Sequence, residues 1–202
     1  MRFLDFKRQF RDFNAITHQD IQNAFGAVNQ SQLVAWKKKG YITAARKGVY
    51  VLTESTIDPL LLAQEMNDSY ISLEFALAHY QIIPEIVPVI TAVSSSRSEE
   101  VVNDFGNFHY HKIAPKLFCG FVLMESAQKH GRFVRIAERE KALFDLVYFR
   151  SDLKSAEDFA ALRLHIDNID CARIQMFIDL VRAPQIKKRL NNFVAYLHAR
   201  VS

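Results

Sequence analysis

The stretch "KKKGYITAARKGVYVLT" (residues 37–53) decides how the first quarter of this chain folds. Two short β-prone runs, Tyr41-Ile42-Thr43-Ala44 and Val49-Tyr50-Val51-Leu52, flank Arg46-Lys47-Gly48, which predicts a hairpin with a tight turn ending at Gly48. Before it, Lys37, Lys38 and Lys39 fit the last turn of a helix, where cations meet the negative end of the dipole. Gly40 suits the left-handed position that closes such a helix. That helix, "QSQLVAWKKK" (30–39), has Asn29 as its N-cap and Leu33 and Trp36 on one face. Upstream, "AITHQDIQNAF" (15–25) carries Thr17 and, three residues on, Asp20, a capping-box spacing. Ile21 and Phe25 share a face, and Gly26 ends the segment. Phe3, Phe6 and Phe10 recur at helical spacing before it. Helix, helix, turn, helix, hairpin is the order of a winged helix-turn-helix.

Charge is concentrated in the same segment. Residues 1–50 carry nine basic side chains and three acidic ones, against 26 and 22 in the whole chain, whose net charge is +4. The positive excess therefore lies entirely in the first quarter and points to a polyanionic partner there. With 202 residues, half of them hydrophobic and 6 of them Gly, the chain is expected to fold as one large or two small domains. Cys119 and Cys171 form no CxxC pattern, so a zinc cluster is not expected and reduced thiols are. "MRFLDFKRQFRDF" (1–13) alternates charged with apolar residues and is not a signal peptide. No apolar run approaches the ~20 residues that span a bilayer. A cytoplasmic protein without membrane association is expected.

"TESTIDP" (53–59) is polar, contains a proline and marks a boundary, giving domains at 1–54 and 58–202. In the second, a helix is expected to begin at Pro59, and a further helix after Ser72, with Phe75, Ala76 and Tyr80 inward. The β-branched run 87–95 reads as a buried strand, and "SSSRSEEVVNDFG" (94–106) as a loop. "FHYHKI" (108–113), "FCGFVLM" (118–124) and "RFVRIA" (132–137) are three more strands. From about residue 138 the pattern is helical: first a segment with Ala142, Leu143, Leu146 and Val147 as its apolar stripe, then helices near 155–167, 171–182 and 184–200. The expected fold is α+β: an N-terminal winged helix-turn-helix, then a mixed α/β domain with a helical C-terminal tail.

In a helix-turn-helix the second helix enters the major groove, and its first residues reach base edges. Those residues are Asn29, Gln30, Ser31 and Gln32. Asn and Gln can pair bidentately with adenine, and Ser adapts to several partners. Lys37, Lys38 and Lys39 lie further along and suit phosphates, which confer affinity without sequence information. Arg46 and Lys47 are expected at the hairpin tip, against the backbone or the adjacent minor groove.

"KKKGYITAARKGVYVL", then "ISLEFALAHYQIIPE" (71–85), then "RIAEREKALFDLVYF" (135–149), in that order and spacing, resemble the AbiE-type antitoxins and regulators of bacterial type IV toxin–antitoxin systems. The resemblance covers about residues 15–150. It implies an autorepressor that binds inverted repeats in double-stranded DNA of its own promoter. It also implies antitoxin activity in the second domain, and a neighbouring gene for a nucleotidyltransferase-fold toxin. Many members of that family have Pro where this chain has Arg139, before the Glu-Lys-Ala-Leu motif; Pro there would pre-set a helix start. Some members are solitary regulators. A protein-interaction module without a DNA role is the alternative.

Other polar constellations favour structure over chemistry. Lys141 and Asp145 stand four apart and fit a helix pair, and Glu140 fits the first turn of that helix. His109 and His111 share a strand face, but no third ligand follows at fixed spacing. Glycine-rich nucleotide loops and nucleophile elbows are absent. Neither enzymatic activity nor a cofactor or metal is expected.

Overall fold

The computed structural model describes residues 1–167 and 169–201. The described residues form a mixed α+β fold with nine α-helices and two sheets. Helix α1 (Phe3–Phe10) buries Phe6 and Phe10 and leaves its charged residues outside. A two-residue strand, β1 (Ile16–Thr17), leads into α2 (His18–Phe25), where the Thr17–Asp20 capping box forms in both directions. Gly26, at φ +82°, ends the helix. Asn29 then caps α3 (Gln30–Lys38) by accepting the amide hydrogen of Gln32. Gly40, at φ +69°, reverses the chain into β2 (Ile42–Arg46) and β3 (Val49–Leu52), which pair antiparallel around Lys47-Gly48. Leu33, Trp36, Ile42, Tyr50 and Leu52 close a small core with Phe6, Phe10, Ile16 and Ile21.

The hairpin differs from its expected form in two ways. Strand β2 runs two residues further than the sequence suggested, and its register breaks between Ala44 and Arg46. A bulge of this kind bends a strand and re-aims the side chains after it. Ala45 turns inward and is buried in a second, larger core together with Val49 and Val51. All four residues of β3 are buried, alternating between the two cores. The hairpin is therefore a shared wall, not a free arm.

The larger sheet follows α4 (Pro59–Met66). Strand β4 (Ser69–Ile71) pairs antiparallel with β5 (Val89–Ser94) and parallel with a later strand, β9 (Phe133–Ala137). Between them lies α5 (Leu73–His79). Strands β6 (Glu99–Asn103) and β7 (Gly106–Lys112) form a tight hairpin, and β7 runs parallel to β5. A 3-10 turn (Pro115–Leu117) precedes β8 (Phe121–Glu125) and β9 (Phe133–Ala137), again antiparallel. The strand order is β6-β7-β5-β4-β9-β8. Helix α6 (Arg139–Phe149) packs against α5, α8 (Cys171–Asp179) and α9 (Pro184–Val201), and α7 (Ala156–Ala161) packs on α9.

Residues 99–103 are a strand where the sequence suggested a loop. As an edge strand β6 exposes Glu100 and Val102, so its composition carries no burial signal. Strand β4 has three residues, too few to display a period of two. Helix α7 is much shorter than 155–167, ending before Arg163 at φ +49°. In α5 the fully buried residues are Leu73, Ala76 and Leu77, with Phe75 and Tyr80 only partly covered.

Candidate nucleic-acid interface

Helix α3 buries Leu33 and Trp36 and presents the opposite side outward. Asn29, Gln30, Ser31, Val34, Ala35, Lys37, Lys38 and Lys39 are exposed there, and Gln32 is half-buried. The outward face begins polar and uncharged and ends in lysines. Lys47 is exposed at the hairpin turn. Among the described residues none of Lys37, Lys38, Lys39 and Lys47 has an acidic partner, and Lys39 lies 6.0 Å from the centroid of the Tyr41 ring.

The expected base readers are unequal. The Asn29 side chain is occupied as the helix cap. The Gln32 amide donates to the Met1 carbonyl at 2.6 Å. Gln30 and Ser31 remain outward, and the Gln30 amide nitrogen lies 3.3 Å from Nε2 of His18. Val34, one turn beyond Gln30, is 50% exposed, enough for an apolar contact with a thymine methyl group. Neither His18 nor Val34 stood out in the sequence. Val34 sits in an apolar run that reads as core, and His18 acts through contacts that only folding creates.

Arg46 closes the hairpin next to the turn, but its side chain is directed to the larger sheet. Its Nη1 donates to the Met66 carbonyl and pairs with Glu99 Oε1 at 2.8 Å, leaving the side chain 22% exposed. Glu99 is held in turn by Arg97 at 3.0 Å and by the Asn67 amide at 3.0 Å. The bulge at Ala45 directs Arg46 to the larger sheet, so its charge is already neutralised.

A second polar cluster lies beneath the larger sheet. Lys141 and Asp145, both 0% exposed, form an ion pair along α6. Tyr70 donates to Asp145 at 3.0 Å and accepts from Lys141 at 2.8 Å, and Ser72 donates to Asp145 at 2.7 Å. The ammonium also lies 4.8 Å from the Phe144 ring centroid and 5.6 Å from that of Phe177. Burial pushes the Asp145 carboxyl above its ordinary value, opposed by Lys141 and by the Ser72 and Tyr70 hydrogen bonds. Burial likewise raises the Tyr70 hydroxyl. This arrangement holds β4 to α6 and leaves no room beside the charges for a substrate. Ser72 consequently serves Asp145 with its side chain instead of capping α5.

His109 lies 4.0 Å from Glu100, and the His111 ring packs on Phe149 with centroids 5.0 Å apart. Burial lowers the pKa of His111. No group of three His, Cys, Asp or Glu side chains among the described residues is placed to hold a metal. No helix among them is long and apolar enough to cross a membrane.

The fold and this face define a mixed α+β protein with a basic, outward-facing helix–hairpin surface at its N-terminal end. No protein-family model matches the chain, and no curated protein matches its sequence. In fold it is similar to the crystal structure of RV2827C protein from Mycobacterium tuberculosis, with a TM-score of 0.56 and 14% sequence identity. That match covers 97% of this chain and 76% of the other. At this identity the likeness is one of fold alone.

Proposed function

We propose that the chain is a double-stranded-DNA-binding transcriptional regulator whose residues 1–54 act as a winged helix-turn-helix. The observation that carries the proposal is the outward face of α3. It begins uncharged at Asn29, Gln30 and Ser31 and ends in Lys37, Lys38 and Lys39, all exposed and the lysines without acidic partners, while Leu33 and Trp36 are buried. Gln30, Ser31 and Val34 face the bases. Lys37, Lys38, Lys39 and Lys47 bind phosphates, and Arg46 belongs to the scaffold.

The resemblance to AbiE-type antitoxins supplies the biological setting. The DNA is the operon's own promoter, and the second domain neutralises a nucleotidyltransferase-fold toxin in the bacterial cytoplasm. No catalysis is assigned to the chain. A protein-docking role for the second domain is favoured by the exposed Met176 and Leu180, one turn apart on and just beyond α8.

The test is binding to upstream promoter DNA against random duplex across a salt series. Affinity should fall with salt at a log–log slope of about −0.9 per phosphate contact. Lys37→Ala and Lys47→Ala should each make that slope shallower by about 0.9, whereas Arg46→Ala should leave it unchanged. Equal affinity for promoter and random DNA would overturn the proposal.

A further inference from the structure

His18 begins α2 at a point where three elements of the proposed DNA face meet. The capping box fixes the start of its helix, and its backbone N–H donates to the Gly48 carbonyl at 3.1 Å, tying α2 to the hairpin turn. Its ring lies against Gly48 and beside Tyr50, with ring centroids 5.5 Å apart. Its Nε2 is 3.1 Å from the Tyr50 hydroxyl and 3.3 Å from the amide nitrogen of Gln30, the first residue of α3.

Donor and acceptor chemistry restricts this arrangement. The Gln30 amide nitrogen can only donate, so a hydrogen bond from it to Nε2 uses Nε2 as the acceptor, which is the Nδ1–H tautomer of the ring. A glutamine amide carries two N–H bonds, and one of them is spent on His18. The carbonyl oxygen and the other N–H remain, side by side, as an acceptor and a donor. That pair is complementary to N6 and N7 of adenine in the major groove. Turned over, the amide would require the other tautomer, with Nε2–H donating to its oxygen.

We infer that His18 is a positioning residue for base recognition, holding the Gln30 amide in the orientation that reads adenine. The inference rests on the DNA reading of α3 proposed above and adds a cause of specificity that touches no base itself. His18→Phe keeps the ring shape against Gly48 and Tyr50 but removes the acceptor. His18→Gln places an amide oxygen near the position of Nε2.

Selection from a randomised duplex library, followed by affinity measurement on the selected site and its single-base variants, tests the inference. Wild-type protein should require adenine at one position. Gln30→Ala should lose roughly ten-fold of that discrimination. His18→Phe should lose most of it at the same position, with the salt slope unchanged and thermal unfolding cooperative. The double variant should be no worse than Gln30→Ala alone, and His18→Gln should restore the preference. If His18→Phe reads adenine as wild type does, or if the two losses add or fall at different positions, the inference fails while the DNA reading stands. If His18→Phe does not fold, loss of the preference in the folded His18→Gln variant likewise defeats it. A wild-type protein that enriches no sequence defeats the DNA reading and this inference together.

Discussion

At the scale of single residues, the most consequential assignments are those that folding takes away from function. Arg46 reads as a phosphate ligand in the sequence, and in the fold it pairs with Glu99. Lys141 and Asp145 read as a helix pair and form one, sealed from water. A sequence shows spacing but not burial: Lys141 and Asp145 are four apart whether or not water reaches them. The buried pair gives a sharp prediction. Lys141→Met leaves the buried Asp145 carboxyl, held by Tyr70 and Ser72, without its counter-charge and should cost about 3–5 kcal/mol of stability. The double variant Lys141→Met/Asp145→Leu removes both charges and should recover most of that loss, since apolar replacement of a buried pair is often neutral or better. Denaturant unfolding of both singles and the double measures the coupling. Singles that cost less than about 1 kcal/mol, the range of exposed pairs, would show that water reaches the pair.

At the scale of elements, helices with caps were the most legible part of the chain. Thr17–Asp20, Asn29, Gly40 and the Pro59 start mark local chemistry that tertiary packing leaves intact. Strands β4 and β6 were not legible, one because it is three residues long and the other because an edge strand need not alternate. The surface of α3 was legible as a polar face ending in lysines, but the bulge in β2 was not, and with it went the direction of Arg46. The segment between the 3-10 turn and β8 carries a constraint of its own. Gly120 adopts φ +74°, and a Cβ there would lie 2.6 Å from the Phe177 ring and 3.1 Å from Lys141 Cδ. Phe177 is buried, so its ring has no free direction to move. Gly120→Ala combines a strained backbone with overpacking and should destabilise by at least about 2 kcal/mol. Thermal unfolding gives the comparison, with Gly131→Ala as control: φ there is similar, at +72°, but nothing lies within 4 Å of the added carbon. If the two variants lose equal stability, the close approach to Phe177 contributes nothing.

At the scale of the whole molecule, the polar boundary at residues 53–59 is real in composition but not a free hinge. Strand β3 divides its side chains between the two cores, and the seam beside it is dense in hydrogen bonds. Asn14, 1% exposed, donates to the Asp58 carbonyl at 3.2 Å and to Glu65 at 2.9 Å, and accepts from the Asp58 amide at 2.8 Å. Asp58 in turn caps α4, and Glu65 also receives Arg132 at 2.6 Å. Unfolding the N-terminal unit alone would expose Ala15, Ala45, Val49 and Val51 and leave these polar groups without partners. The two units should therefore unfold together. The single tryptophan, Trp36, lies in the small N-terminal core and reports on it selectively, whereas far-UV circular dichroism is dominated by the rest of the chain. The two signals should give coincident denaturant midpoints, as a two-state transition requires. Asn14→Ala should lower both midpoints together by leaving buried donors and acceptors unpaired, at about 1–3 kcal/mol. A Trp36 transition that precedes the loss of helix signal in the wild type would mean that the hairpin detaches readily. In the coupled case the second domain fixes the orientation of α3, and a partner that strained the larger sheet would reach the proposed DNA face through β3.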